Sequence, residues 1–354
     1  MFGFFKSAQP KRVFIEGMDE PIEVANKETI LNAALRQGVR FPHSCRVGGC
    51  ATCKCRLTDG KVKELTESAY ILSEQELDQG YILACQSVPK GDVHIAVDHL
   101  NTSGPDIKPT QHSGVVVAQQ ALTHDIMALD IELDAPLRYI AGQYALLSVP
   151  GRIDEPRSYS FASPAGQHGT PTVRFYIRQV PGGDMSTWAQ GSVMNTQVQV
   201  EGPFGNFYLR ESQQATSQPI LCIAGGSGLA PIKALLEEAL SFKNPRPVTF
   251  LFGARRQQDL YCLAEIEQLQ QQWAGEFTFI PVLSEEPEAS GWKGARGLVT
   301  EHLDRYCSPD SQAYLCGPPA MLDAAEAQLH QLGVSPDQIF SDKFLDKSNQ
   351  QKIA

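Results

Sequence analysis

At 354 residues the chain is long enough for two or three domains, each with its own core. Hydrophobic residues make up 42% and charged residues 20%, an ordinary balance for a water-soluble protein. The net charge is −10 and no long segment is basic, which argues against a nucleic-acid partner.

The nine cysteines are unevenly placed, and a secreted disulfide framework would be shorter, even in number and more regular. A reducing cytoplasm is therefore expected. The opening "MFGFFKSAQPKR" lacks the pattern of a signal peptide. The most apolar stretch, "PILCIAGGSGLAPIKALL", is broken by Gly and Pro short of the roughly 20 residues of a spanning helix.

In chain order, "RVFIEGMDEPIEV" predicts a β-hairpin turning at Gly17–Asp19. "ETILNAALRQG" spaces its apolar residues for one helical face and stops at Gly38. A cysteine loop follows, "FPHSCRVGGCATCKC", and "VHIAVDHL" closes the segment as a strand. Residues 101–114, rich in polar residues, Gly and Pro, read as a linker. From 115 to about 210, short strands recur between turn signals, the pattern of a small antiparallel barrel. From about 219 onward strands and helices alternate, which predicts a parallel sheet covered on both faces.

Cys45, Cys50 and Cys53 follow C-x4-C-x2-C, and Cys85 lies further on in "YILACQS". This is the plant-type spacing of four thiolates around a 2Fe–2S cluster. Gly48 and Gly49 suit a tight loop that turns backbone N–H groups toward an anionic centre. Structural zinc more often uses two short-spaced cysteine pairs, and disulfides fit the compartment poorly. Cys55 reads as a buried bystander. His43 lacks the second, C-x-H histidine of a Rieske site and reads as a loop histidine.

"RSYS" from Arg157 to Ser160, followed by "PGGDMSTW", resembles the flavin motif R-x-Y-[ST] and G-x-x-S of the ferredoxin–NAD(P) reductase superfamily. "AGGSGLAP" (224–231) and "YLCGPPAML" are similar to its two nucleotide signatures. The resemblance implies three domains: an α+β β-grasp 2Fe–2S ferredoxin (1–100), an antiparallel β-barrel flavin domain (115–217) after the linker, and an α/β Rossmann-like NAD(P)-binding domain (218–354).

It further implies that Arg157 pairs with the FAD pyrophosphate, Tyr159 packs on the isoalloxazine and Ser160 reaches N5, with Ser158 in the same motif. Gly183, Met185 and Ser186 would bind pyrophosphate at a helix start. Tyr176, Ile177 and Arg178 lie where the superfamily contacts the ribityl and adenine parts, although strand alternation alone would also put Tyr176 and Arg178 on an exposed face. Gly225, Gly226, Ser227, Gly228 and Pro231 would cradle the nicotinamide dinucleotide. Cys316, Gly317 and Pro318 would place a thiol beside C4. Phe344, in "DKF", would cover the flavin. Arg255 and Arg256, in "LFGARRQQDLY", are expected at the adenosine ribose, where they could grip a 2′-phosphate, stack on adenine or simply be solvated. NADH is the expected donor, with NADPH the alternative.

The order of domains resembles the electron-transfer components of bacterial aromatic and alkane oxygenases, and within them the xylene monooxygenase reductase type. The expected activity is an NAD(P)H:acceptor oxidoreductase. Hydride would pass from the nicotinamide to FAD, with Ser160 and Cys316 as catalytic residues. Electrons would then leave singly through a cluster near the flavin edge. The expected partner is an oxygenase or hydroxylase, membrane-bound in one version, with no membrane span in the chain itself. The alternatives are the same relay feeding a deoxysugar dehydratase, and a redox sensor.

Overall fold

The computed structural model describes residues 10–39, 41–43, 46, 48, 49, 51–97, 107–210 and 217–344. The chain forms two compact units, the second of which holds both the barrel and the parallel sheet. One ends before Ile107, and the other spans Ile107–Phe344.

In the first unit, β1 (Lys11–Ile15) and β2 (Ile22–Val24) make the expected hairpin, with Val13 opposite Ile22. Helix α1 (Ile30–Arg36) starts at Thr29, whose hydroxyl accepts the Asn32 N–H, and Gly38 follows its end at φ +79°. Strands β3 (Lys54–Asp59), β4 (Val62–Glu64), β5 (Tyr81–Leu83), β6 (Ser87–Pro89) and β7 (Val93–Ala96) complete it, with helix α2 (Glu74–Asp78) before β5. The main sheet runs β2-β1-β7-β3-β5, with β7 parallel to β1 and the rest antiparallel. Helix α1 buries Ile30, Leu31, Ala33 and Ala34 in the same core as Val13, Ile15, Val93 and Ile95.

The second unit begins with β8 (Thr110–Ala121), paired to β9 (Ile126–Leu137). The segment read as linker therefore includes the start of a strand. Thr110 to Ser113 lack an apolar alternation. Their backbone pairs with Gly202 to Gln199, and His112 is buried against Asp134 at 3.0 Å.

Strands β10 (Tyr144–Val149), β11 (Ile153–Ser160), β12 (Thr170–Arg178) and β13 (Gln197–Phe204) follow, with helix α3 (Asp184–Gln190) between the last two. The sheet order is β11-β10-β13-β8-β9-β12, and a bridge between Phe161 and Phe175 brings its two edges together. This is the predicted antiparallel barrel. Leu129, Ile131, Leu147, Phe161, Val173 and Phe175 fill it.

The parallel sheet contains β14 (Ile220–Gly225), β15 (Val248–Ala254), β16 (Phe277–Leu283), β17 (Ala295–Arg296), β18 (Gln312–Gly317) and β19 (Ile339–Lys343), in the order β17-β16-β15-β14-β18-β19. Helices α4 (Leu229–Ser241), α5 (Leu263–Gln272), α6 (Leu303–Tyr306) and α7 (Pro319–Gln331) cover it. Alternate residues of β14 enter two different cores: Cys222 and Ala224 join Ile232 of α4 and Ile266 of α5, whereas Leu221 and Ile223 join Leu303 of α6 and Leu322 of α7. Both faces are thus covered, as the alternation of elements predicts. In "LVTEHLDRYC" only Leu303–Tyr306 is α-helical, and Val299–His302 form a 3-10 turn. The barrel residues Ile126, Ala128 and Tyr176 belong to the same core as α4 and α5, so barrel and parallel sheet make one body.

Candidate functional site

The cysteine loop leaves α1 through Phe41, which is fully buried. The Phe41 carbonyl lies 2.8 Å from Nδ1 of His43. His43 is buried too, and desolvation pulls its pKa down to about 4, so the ring is neutral. It is a loop histidine as expected, though an interior one. The loop turns with left-handed backbone at Arg46, Gly48 and Ala51. At Gly48 a Cβ would fall 2.6 Å from Cγ of Gln86, so glycine is needed there for space as well as for φ.

Cys53 and Cys85 are both buried. They are drawn together because Lys54 pairs with Leu83 and the Ala84 N–H bonds the Cys53 carbonyl at 3.1 Å. Cys45 and Cys50 lie outside the described residues. Cys55, next on the same face of β3, is fully buried in the core, as expected of a bystander.

Sequence reasoning missed Gln86. Its amide Nε2 donates to Cys85 Sγ at 3.7 Å, its Oε1 accepts from Thr66, and its side chain lies against Gly48. Its position directly after a ligand candidate was the available signal. Two buried thiols, a glycine cradle and an N–H donor aimed at sulfur fit a thiolate-held cluster.

In the second unit, Arg157 to Ser160 lie on β11 opposite Leu147 to Tyr144 of β10. Strand alternation separates Arg157 and Tyr159 from Ser158 and Ser160. Arg157 bonds Glu155 at 2.8 Å in an exposed pair. Such a pair holds a guanidinium weakly against a better anion. Tyr159 packs on the barrel core, and burial pushes its hydroxyl pKa up.

Gly183 caps α3, where a Cβ would meet Ser186 Oγ at 2.7 Å. The Ser186 hydroxyl turns back on its own loop, accepting from the Val180 N–H at 3.1 Å, and Met185 is buried in the barrel. The serine thus shapes the turn, and the first-turn amides are what the helix start offers a phosphate.

The exposed-face alternative for Tyr176 is overturned. The ring is 5% exposed, its edge meets Tyr261, and its hydroxyl is 3.4 Å from Cys262 Sγ, because α5 and the chain before it cover this end of β12. Ile177 points into the barrel core. Arg178 ends the strand beside Gly226, half-exposed in a cleft that Asp125, Gly225 and Met321 also line.

That cleft, about 410 Å³, opens above the carboxyl ends of the parallel strands. Gly225, Gly226, Ser227 and Gly228 carry β14 through a 3-10 turn into α4, with Pro231 in its first turn. Gly226 adopts φ +55° and its carbonyl accepts from Tyr261 Oη at 2.9 Å. A Cβ on Gly228 would be 2.1 Å from the Cys316 carbonyl oxygen, so the turn and the end of β18 touch through backbone alone. Gly317 ends β18, Pro318 follows it, and Met321 packs against Gly225.

Cys316 is fully buried, and burial together with Asp342 pushes its thiol pKa well above the ordinary value, so it is a neutral S–H. It stands in register with Asp342 of β19, whose Oδ2 accepts from Ser160 Oγ at 3.4 Å. Barrel strand and parallel sheet therefore bring Ser160, Asp342 and Cys316 together. Sequence reasoning read Asp342 only as part of "DKF". The Phe344 N–H bonds the Gly317 carbonyl at 2.9 Å, which docks this aromatic against the core next to the site. Arg255, after β15, is bonded by Asp259 at 3.2 Å and Asp125 at 3.3 Å.

Three family models match the chain in order: a 2Fe-2S iron-sulfur cluster binding domain over residues 13–90, an oxidoreductase FAD-binding domain over 113–208, and an oxidoreductase NAD-binding domain over 222–327. The chain is 41% identical to the xylene/toluene monooxygenase electron transfer component of Pseudomonas putida, covering 98% of this chain and 97% of that one. It is 35% identical to the phenol 2-monooxygenase reductase component of Pseudomonas sp. (strain CF600), covering 94% of each.

Among solved structures, an Amycolatopsis cytochrome P450 reductase matches with a TM-score of 0.81 at 30% identity, over 94% of this chain and 98% of that one. The ferredoxin reductase in carbazole 1,9a-dioxygenase gives 0.75 at 28%, over 95% and 98%. The domain order, the cysteine loop and the shared cleft agree with these relatives: the chain belongs to the family of iron–sulfur flavoprotein reductases that serve as electron-transfer components of oxygenase systems.

Proposed function

We propose that the chain draws electrons from NADH and delivers them to the hydroxylase component of an oxygenase acting on an aromatic hydrocarbon. The observation that carries this reading is the end-to-end likeness to a xylene/toluene monooxygenase electron transfer component. Relatives named for phenol and naphthalene oxygenases support an aromatic substrate over the deoxysugar and sensor alternatives. We place the protein in the cytoplasm, with a membrane-bound di-iron hydroxylase as the version of the acceptor to test first. No described helix of the chain is long and apolar enough to cross a membrane.

Cys45, Cys50, Cys53 and Cys85 hold the cluster in this reading, and the Gln86 amide steadies the sulfur of Cys85. Arg157 would give up its exposed contact with Glu155 to bind the flavin pyrophosphate together with the first-turn amides of Met185 and Ser186, while Gly183, whose N–H donates to the Val180 carbonyl at 3.0 Å, would shape the turn that presents them. Tyr159 would pack on the flavin ring, with Ser158 on the opposite face of the same strand, and Phe344 would cover the ring. When bound, the flavin supplies the exchange between two-electron and one-electron steps. Ser160 Oγ, oriented by Asp342, holds a hydrogen bond at the flavin N5 position. The Gly226–Gly228 turn would set the depth and angle of the nicotinamide, with the buried Cys316 thiol behind it and the Cys316 carbonyl packed against Gly228. The domains of this reading are the ferredoxin over 1–100, the flavin barrel to 217 and the nucleotide domain over 218–354, with the linker shortened to end before Thr110, where β8 begins.

Anaerobic titration of the purified protein with NADH and, separately, NADPH, read by optical and EPR spectra, tests this. NADH should bleach the flavin and give a reduced two-iron signal at lower concentration than NADPH. Flavin bleaching without any cluster signal would sink the relay.

A further inference from the structure

The hairpin between β8 and β9 carries Asp125 out of the barrel and into the dinucleotide cleft. Its own turn aims it. Thr123 Oγ1 donates to Asp125 Oδ1 at 2.8 Å, and the Asp125 carbonyl accepts from the Gln179 N–H at 2.7 Å. The other oxygen, Oδ2, accepts from two arginines of different origin. Arg178 Nε, at the end of barrel strand β12, lies at 3.1 Å, and Arg255 Nη2, after β15 of the parallel sheet, lies at 3.3 Å. Arg255 is also bonded through Nε by Asp259, and His124 stands 3.5 Å from the other oxygen of that carboxylate. Both carboxylates are mostly buried, with side chains 16% and 11% exposed. Arg178 in turn lies against Gly226 of the glycine turn.

This corner has a consequence for the adenosine end of a dinucleotide. A ribose 2′-hydroxyl can donate to a carboxylate, whereas a 2′-phosphate needs a guanidinium whose charge is not already spent. Here two carboxylates share one arginine, and an added phosphate dianion would sit beside both in a partly desolvated place.

We propose that Asp125, reaching over from the flavin barrel, is a specificity-determining and positioning residue: it closes Arg255 to a 2′-phosphate and ties Arg255 to Arg178, so that the two arginines address the nucleotide as one clamp. This rests on the reading that the cleft takes NADH with its adenosine end at Arg255. It adds that discrimination comes from a residue outside the nucleotide-binding sheet.

The test uses the full-length holoprotein as wild type, Asp125→Asn, Asp125→Ser and Asp125→Glu, with flavin content and melting temperature recorded for each. Calorimetric titration with 5′-AMP and with 2′,5′-ADP reads the adenosine end alone, and NADH- and NADPH-dependent ferricyanide reduction reads the whole nucleotide.

In Asp125→Asn and Asp125→Ser, the affinity for 2′,5′-ADP relative to 5′-AMP should rise roughly tenfold. The NADPH-to-NADH ratio of kcat/KM should rise with it, through KM rather than kcat. Asp125→Glu should keep the wild-type preference. An unchanged probe ratio in both neutral variants, or a parallel loss of both probes, overturns the proposal while leaving the NADH reading intact. A wild type that already prefers 2′,5′-ADP and NADPH overturns both.

Discussion

Replacing Gly228 by alanine tests the packing on which the nucleotide site depends. The new Cβ would lie 2.1 Å from the carbonyl oxygen of Cys316, 2.5 Å from its carbon and 2.9 Å from the Gly317 nitrogen. A carbon–oxygen contact normally needs about 3.3 Å, so the turn and the end of β18 must separate by about 1 Å. None of these atoms belongs to a flexible side chain, so the strain falls at the upper end of ordinary overpacking, about 3 kcal/mol. For a unit of this size that is a fall in melting temperature of about 6–12 °C.

The displaced segment carries Cys316, so hydride transfer from NADH should slow about 100-fold, the usual result of a 1 Å misplacement. Stopped-flow reduction of the flavin by NADH, with NADH-dependent ferricyanide turnover alongside, measures it. The control is Gly91→Ala, where a Cβ meets nothing within 4 Å. If Gly228→Ala keeps flavin reduction within about twofold of wild type and melts with it, the close approach does not support the site.

Loss of one proposed cluster ligand would separate the two halves of the relay. In Cys50→Ser, NADH should still bleach the flavin while cytochrome c reduction falls to background, and full cytochrome c activity would refute exit through the cysteines. Ser160→Ala should slow flavin reduction about 100-fold. Asp342→Asn, which acts through Ser160, should slow it about tenfold; equal and negligible effects would remove both from the reaction. Gln86→Leu removes the amide donor to Cys85 and should lower the cluster midpoint potential in an EPR-monitored redox titration, with flavin reduction by NADH unchanged. An unshifted potential would make Gln86 a packing residue only.

Much of the architecture was legible because local chemistry and tertiary demand coincide. The C-x4-C-x2-C spacing, the R-x-Y-S strand and the glycine turn after β14 each state a backbone geometry and a charge preference in a few adjacent residues. The start of β8 was not legible. Thr110 to Ser113 are held by pairing with β13 and by the His112–Asp134 contact, neither of which leaves an apolar alternation. Tyr176 was ambiguous for the opposite reason. Strand alternation gives it a face, but only the packing of Tyr261 and Cys262 decides that the face is covered. The Asp125–Arg255 contact joins residues 130 apart in the chain, and no short motif encodes it. Asp342 was visible as part of a tripeptide. Its partner Ser160 is 182 residues away, so its contribution waited on the fold.

Strand β19 is the last part of the parallel sheet to be synthesised, and it supplies both the outer edge beside β18 and the carboxylate that orients Ser160. A nascent or clipped chain ending before Ile339 could hold flavin in its barrel, yet it would lack the aligned serine beside that ring. Such a fragment would accept reducing equivalents poorly.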